Sequence, residues 1–256
     1  MHRARWQRAL ASLTAVLLTL EAATAHGADY SAEEVRAALA AQRSGEKPDF
    51  AGKSLAGLDL SHLDLSGIDL AGADLQGTKL AGAKLIGADL SGTKMNLAWI
   101  MGADFSNANL SGATLETLVV SSGLETKPDE AARFVRANLS GAHVMARFAM
   151  DDMRGANLSG IMAEADMRNQ SMGLIRTDFL SADLTGARFV GARLGHASFR
   201  FAKLAHADFT GASLVDADFS GADLTGANLS GADVRGADFS AAVMTDVKGL
   251  QPPGGR

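Results

Sequence analysis

Apolar side chains recur along this chain with a period of five residues. Between Ala182 and Ala242 every fifth residue is alanine, and the residue two positions later is Leu, Phe, Val or Met. The residue between the two is polar in all of these units except the last, and Ser, Thr or Gly is frequent in the rest of the unit. A short fixed period predicts one local unit repeated many times, with neighbouring units burying each other's apolar side.

The period excludes an α-helix as the repeating element. Five residues turn a helix by about 500°, which would scatter the large apolar residues around its axis. In an extended chain, alanine and the apolar residue two positions on share one side, and the polar residue between them points to the other. Keeping this alternation across an odd period requires a corner in every unit, where glycine is favoured. The pattern therefore predicts short extended segments joined by corners.

A longer period of twenty residues gives the number of units in a coil. The phenylalanines of the last third recur at this interval, at Phe179, Phe199, Phe219 and Phe239. Lys84 likewise lies twenty residues from both Asp64 and Asp104. Four units per coil stack like residues on like and opposite charges on one another, whereas three or five do not. Each exposed pair contributes only a few tenths of a kcal/mol, so the charges chiefly set register and solubility.

The period begins at Phe50, and the repeats predict a β-helix over residues 50–245 followed by a tail over 246–256. The segment Ser121–Arg133 departs from the pattern and contains a glycine and a proline. We interpret it as an insertion.

Irregular frames are predicted over residues 144–177. There the apolar position first shifts by one residue, to Phe148, Met153 and Leu158. A second shift then assigns the inward position to Met162, Met167 and Met172. In this interpretation the methionines replace leucine in the core.

Residues 29–49 predict a helical cap and linker before the first coil. Ser31 and Glu34 form a capping box, and Val35 and Leu39 belong to an apolar stripe. Solenoids need their first unpaired layer covered, so we expect this helix to cap the rod.

Residues 1–25 have the composition of a secretory signal peptide. Three arginines precede the apolar run Ala9–Leu20, and small residues around Ala25 provide a cleavage site. Cleavage after Ala25 predicts a periplasmic or secreted protein with no membrane span.

Cleavage of this segment also changes the formal net charge of the protein from −5 to about −7. Mild acidity argues against direct nucleic-acid binding, and the absence of cysteine excludes disulfides and thiol catalysis.

The unit Ala-Asp-Leu-Thr-Gly that starts at Ala222 resembles the A(D/N)LXX repeat of the pentapeptide-repeat family. The resemblance covers roughly Phe50 to Met244. It implies an all-β fold, a right-handed quadrilateral β-helix with four repeats per coil, here with a short N-terminal capping helix. It also implies a non-enzymatic scaffold. Some members of the family resemble DNA, bind a type II topoisomerase and protect it from fluoroquinolones. The signal peptide and the lysines disfavour that alternative here.

We predict no catalytic residue, cofactor or metal. His143, His196 and His206 are interpreted as surface residues, and the aspartate rows as solvated faces. Two alternatives stay open. Thioethers of the methionine-rich middle bind Cu(I) in some exported proteins, and a deep pocket lined by His143, Asp151 and Asp152 would indicate an enzyme.

The strongest candidate for function is an outward apolar patch of Leu97, Trp99, Met101 and Val119. Trp99 stands in the slot where the repeat places a polar residue, and Val119 is its neighbour twenty residues on. Either the segment 121–133 covers this patch, or the patch binds an unknown protein partner. The partner's identity and the oligomeric state remain open.

Overall fold

The computed structural model describes residues 27–41, 47–123, 126–165 and 176–250. Within these ranges the chain forms one helix, α1 (Ala32–Ala40), and two parallel strands, β1 (Thr114–Glu116) and β2 (His143–Met145). The signal peptide predicted at 1–25 lies outside them. No helix in the described part has the length and hydropathy to cross a membrane.

Most of the chain runs in five-residue steps, each with a turn and an isolated parallel bridge. Most of the bridges join residues twenty positions apart, as in the series Asp183, Lys203 and Asp223. Backbone hydrogen bonds follow the same register, since the Leu204 N–H donates to the Asp223 carbonyl over 2.7 Å. Stacked side chains also meet, because Lys203 Nζ lies 3.6 Å from an Asp183 carboxylate oxygen. Each coil of this region therefore takes four units.

The interior is filled by the alanine and the large apolar residue of each unit. Rings of Phe179, Phe199 and Phe219 stack with centroid distances of 4.9 and 4.8 Å. Phe189 and Phe209 each meet Phe199 edge-on at 5.7 Å. All five rings are fully buried. Offset and edge-on arrangements are the favoured geometries of aromatic pairs, so this column stabilises the C-terminal coils beyond its area burial.

At the N-terminal end, α1 packs on the first coil. The Ser31 hydroxyl accepts from the Glu34 N–H, and the Glu34 carboxylate accepts from the Ser31 N–H, so the predicted capping box is present. Val35 is fully buried in the same core as the coils, and the Tyr30 ring meets Phe50 edge-on at 5.2 Å. The helix thus adds its apolar side to the first layer.

The interval between paired residues changes in the middle of the chain. Asp104 pairs with Arg133 instead of a residue twenty positions on, so the segment between them lengthens one coil. Arg133 pairs with Asp152, so the coil between these two residues is shorter than a regular coil by one position. Met162 pairs with Arg193, so the coil between those two residues is longer than a regular one. Parallel pairing continues on both sides of all three changes.

The prediction that Met162 points inward is wrong. Ile161 and Ala163 are buried, whereas Met162 is 36% exposed and occupies the outward slot between His143 and Arg193. The frame set by the preceding units continues in steps of five to Ala163, without a second shift. A preference for a large residue at the inward position suggested the shift, but alanine fills that position here. Met153 is fully buried, as predicted, and Met167 and Met172 lie outside the described residues.

Corner residues of the coils have positive φ, and most are glycine. A bulky corner residue lies directly over a glycine one coil later at His62 over Gly82 and at Phe201 over Gly221. A Cβ on Gly221 would lie 2.5 Å from the Phe201 ring. The glycine is therefore needed both for its φ of +69° and for the space beneath the ring.

Gly221→Ala is expected to destabilise the protein more than Gly231→Ala. Both glycines have a φ of +69°, but the nearest atom to a Cβ on Gly231 is 3.9 Å away. Gly231→Ala should therefore cost only the left-handed strain, about 1 kcal/mol. Urea denaturation measures the difference, and adding Phe201→Ala to Gly221→Ala should reduce the cost to that of Gly231→Ala. Equal costs for the two single variants would show that the ring moves aside freely.

Candidate protein-binding surface

One outward row of side chains changes from charged to apolar along the rod. It comprises Asp59, Lys79, Trp99 and Val119, each bridged to the next, and we call it the tryptophan row. The backbone of Trp99 is fixed to the preceding coil, because its N–H donates to the Thr78 carbonyl and its carbonyl accepts from the Leu80 N–H. The Trp99 side chain is therefore held on a rigid wall.

The indole of Trp99 is 40% exposed. The ammonium of Lys79 lies 5.5 Å from its ring centroid, within the range of a cation–π interaction. The backbone of Lys79 also forms a β-bridge with Asp59, on the side away from Trp99. The row therefore has a polar end and an apolar end. Aromatic side chains are enriched in protein interfaces, and the rims of interfaces are polar.

Leu97 and Met101 occupy the corners on either side of Trp99. Leu97 is 51% exposed and has a φ of 62°, a conformation that is costly for a branched side chain. Met101 and Val119 are partly exposed. These four residues form the Trp99 patch, which presents apolar groups to solvent over two neighbouring coils.

The insertion rejoins the coil beside this patch. The Glu130 carbonyl accepts from the Gly102 N–H over 2.7 Å, which fixes the end of the insertion next to Met101. The Glu130 carboxylate in turn accepts hydrogen bonds from the Ser122 hydroxyl and the Lys127 N–H. Residues 124–125 are outside the described part. The described part of the insertion does not bury the patch, because Leu97 is 51% exposed and Trp99 is 40% exposed.

A family model for pentapeptide repeats matches eight copies of the unit, at residues 54–97, 174–200 and 202–240. These segments consist of pentapeptide repeats, the unit of the pentapeptide-repeat family. Proteins of this family adopt a right-handed β-helix, which agrees with the parallel coils described above. The Trp99 patch lies where the first matched segment ends.

Two solved pentapeptide-repeat proteins are similar to this chain. HetL from the cyanobacterium Nostoc sp., a protein involved in the regulation of heterocyst differentiation, is 29% identical, with 86% of this chain and 94% of HetL covered and a TM-score of 0.46. QnrB1, a plasmid-mediated fluoroquinolone resistance protein, is 22% identical, with 76% and 85% covered and a TM-score of 0.39. No curated protein sequence matches the chain.

The three residues considered for an enzymatic pocket lie apart in this structure. His143 and Asp152 occupy outward slots of different rows, and Asp151 points inward. Asp152 is paired with Arg154 at 2.8 Å, and this hydrogen bond holds the pKa of its carboxyl below the usual value. Within the described ranges, no group of three His, Cys, Asp or Glu side chains is placed to hold a metal ion.

Asp151 is a charged residue in a slot that the repeat gives to alanine. It is 1% exposed, and its Oδ1 accepts from the Ala132 N–H over 2.8 Å, where the insertion returns to the coil. Its Oδ2 has no hydrogen-bond partner among the described residues. Burial raises the pKa of the Asp151 carboxyl well above its ordinary value. Asp151 therefore contributes to the structure of the insertion and is withdrawn from the outer surface.

Proposed function

We propose that this protein is an exported, non-enzymatic scaffold that binds a protein partner through the Trp99 patch. The observation that carries the proposal is the exposed indole of Trp99 in a slot where the repeat places Asp, Asn or Lys. An apolar side chain in that slot contributes nothing to the core, so its placement calls for another explanation. Binding of a protein surface supplies one.

The shape of the surface favours a protein over a small molecule. Small-molecule sites are concave and bury most of their ligand, whereas Trp99 stands on the outer wall of a rod. Tryptophan and methionine are enriched in protein interfaces, and tryptophan is a frequent hot spot. The Lys79 ammonium beside the ring adds a charged rim to the apolar centre.

The proposal includes the shape of the scaffold. The bridges at twenty-residue intervals support a four-sided coil, in which the tryptophan row forms part of one flat wall. The burial of Val35 supports a capping role for α1, because the helix covers apolar groups that the first coil would otherwise expose. A flat and rigid wall presents the patch without a conformational change.

Trp99→Ala is expected to weaken partner binding by roughly thirtyfold, the effect of losing a hot spot of about 2 kcal/mol. The partner is recovered from the exported fraction by a photocrosslinking group placed at Met101, and its affinity for each variant is then measured with purified proteins. Ile86→Ala is the matched control, because Ile86 is 39% exposed on another part of the rod. It should leave the affinity unchanged.

Thermal unfolding separates binding from folding in the same variants. Since Trp99 is half-exposed, Trp99→Ala should shift the melting temperature by only a few degrees. A variant that unfolds more easily yet captures the partner as well as the wild type would contradict the proposal. It would assign Trp99 a structural role instead.

Export is the second part of the proposal and rests on residues 1–25. Expression of the full chain in a Gram-negative host should yield a mature protein that begins at His26 in the periplasm or medium. A protein that keeps residues 1–25 in the cytoplasm would contradict export and would leave the partner-binding proposal to be tested there.

The topoisomerase-binding alternative requires an acidic surface that imitates DNA. In this chain the row that contains Asp64 and Asp104 is interrupted by Lys84, Arg133 and Lys203, which dilute its negative charge. A supercoiling assay with DNA gyrase distinguishes the two proposals. The scaffold proposal expects no inhibition by the mature protein, and inhibition would favour the alternative.

A further inference from the structure

Three soft donor groups lie together on a second face of the rod. They stand on and beside the row that comprises Thr114, His143, Met162 and Arg193, each bridged to the next, which we call the histidine row. A cleft of about 200 Å³ is lined there by His143, Met145 and Met162, together with Glu116, Glu164 and Arg193. This cleft is separate from the Trp99 patch.

The strands of this face explain why the three side chains converge. In β2, Val144 is 2% exposed and points into the core, so His143 and Met145 on either side of it point outward together. Residues two apart in a strand are roughly 6.6 Å apart on the same face, and adjacent coils are about 4.8 Å apart. Met162 bridges His143 from the next coil. These backbone spacings place all three side chains within reach of a single site in the cleft.

The methionines of this cleft are not part of the core. Ile161 and Ala163 fill the inward positions on either side of Met162, and both are buried. Met145 is partly exposed at the end of β2. The repeat otherwise fills its outward slots mostly with polar side chains, so a packing role leaves these two thioethers unexplained.

The donor set favours a soft monovalent cation. Thioether sulfur and imidazole nitrogen suit Cu(I), whereas carboxylate and carbonyl oxygens suit hard cations such as Mg²⁺ or Ca²⁺. The described residues offer no group of three His, Cys, Asp or Glu placed for a metal ion, so a divalent site of that type does not compete here. The chain has no cysteine, which leaves methionine as its sulfur ligand.

The charges around the cleft agree with a cation. Arg193 is paired with Glu164 at 2.7 Å, which neutralises both groups. Glu116 remains as a negative charge at the edge of the cleft. We propose that His143, Met145 and Met162 form a binding site for Cu(I), with the imidazole neutral and the two thioethers as the other ligands. This proposal does not depend on the proposed scaffold function.

The experiment titrates the purified protein with Cu(I) anaerobically against a chromophoric Cu(I) chelator, and repeats the titration with Ag(I) as a redox-inert probe. The wild type should bind one equivalent. Met145→Leu, Met162→Leu and His143→Asn should each weaken binding at least tenfold, and Met145→Leu with Met162→Leu should abolish it. Met153→Leu, in the core, and Met150→Leu, exposed at a different corner, are the matched controls and should bind as the wild type does.

Two results would overturn the proposal. One is a wild-type protein that takes no Cu(I) or Ag(I) from the chelator. The other is a Met145→Leu, Met162→Leu variant that binds as tightly as the wild type, for example because Met167 and Met172 hold the metal instead. X-ray absorption of the bound copper gives an independent check, since the proposed site requires two sulfur neighbours and one nitrogen neighbour. Melting temperatures of all variants show whether a loss of binding reflects a loss of folding.

Discussion

Phe199→Ala is expected to lower the free energy of unfolding by about 3–5 kcal/mol. Phe199 is fully buried and contacts four other rings, two stacked above and below it and two edge-on. Truncation to alanine removes these contacts and leaves a cavity that the paired coils on either side cannot close. Urea or guanidinium denaturation, followed by circular dichroism, measures the loss.

Phe201→Ala is the control for this prediction. Phe201 lies two residues later, has the same side chain, and is 56% exposed at a corner. Its replacement should change the free energy of unfolding by about 1 kcal/mol or less, since most of the ring is already in contact with water. Similar losses for the two variants would contradict the inward and outward assignment on which the fold rests.

Asp151→Asn is expected to stabilise the protein at neutral pH by roughly 1–3 kcal/mol. The wild-type carboxyl is buried with one oxygen unpartnered among the described residues, whereas asparagine keeps an acceptor for the Ala132 N–H without a charge. Asp151→Ala removes that acceptor as well, so it should stabilise the protein less. Chemical denaturation of the three proteins at pH 7 ranks them.

The gain from Asp151→Asn should depend on pH in a defined direction. Burial raises the pKa of Asp151 in the folded protein above its value of about 3.9 in the unfolded chain. The folded state therefore binds a proton more tightly, and the wild type loses stability as the pH rises from about 4 towards the folded pKa. Below pH 4 the cost is absent, so the difference between Asp151→Asn and wild type should become small. A difference that stays constant from pH 3 to pH 8 would contradict this account.

The aromatic column shows how much of the fold is present in the sequence. Phe179, Phe199 and Phe219 are spaced by twenty residues, and in the structure their rings stack. The spacing suffices because each side chain's partner is the equivalent residue one coil away. Where the units are regular, chain position alone determines which side chains meet, and the outward position of Trp99 follows from its place in the unit in the same way.

The middle of the chain could not be predicted in this way. The frame at Met162 depends on whether a large residue or a small one fills the inward position, and both choices fit the local sequence. Met162 lies outward and Ala163 inward. Convergence of Met162 with His143 and Met145 further depends on a coil that is one position shorter than the regular ones. The one-residue shift at Phe148 indicates that shortening in the sequence, but the outward position of Met162 was needed to see the convergence. Asp151 is buried because it occupies the alanine slot of its unit, whereas its contact with Ala132 depends on the return of the insertion. An aspartate in a repeat normally suggests a solvated position.

Each pair of stacked corner residues has a direction along the rod, with the bulky side chain in one coil and the glycine in the next. This direction limits how the rod can be shortened. At His62 and Phe201 the corner side chain reaches towards the coil that follows it and lies over a glycine there, within 2.5 Å of where a Cβ would be. Removing residues 63–82 would bring Gly102 beneath His62, and the new junction would be accommodated. Removing residues 202–221, a segment of equal length, would bring Ala241 beneath the Phe201 ring and create a clash. Whole coils are therefore interchangeable parts only where the corner beneath them matches.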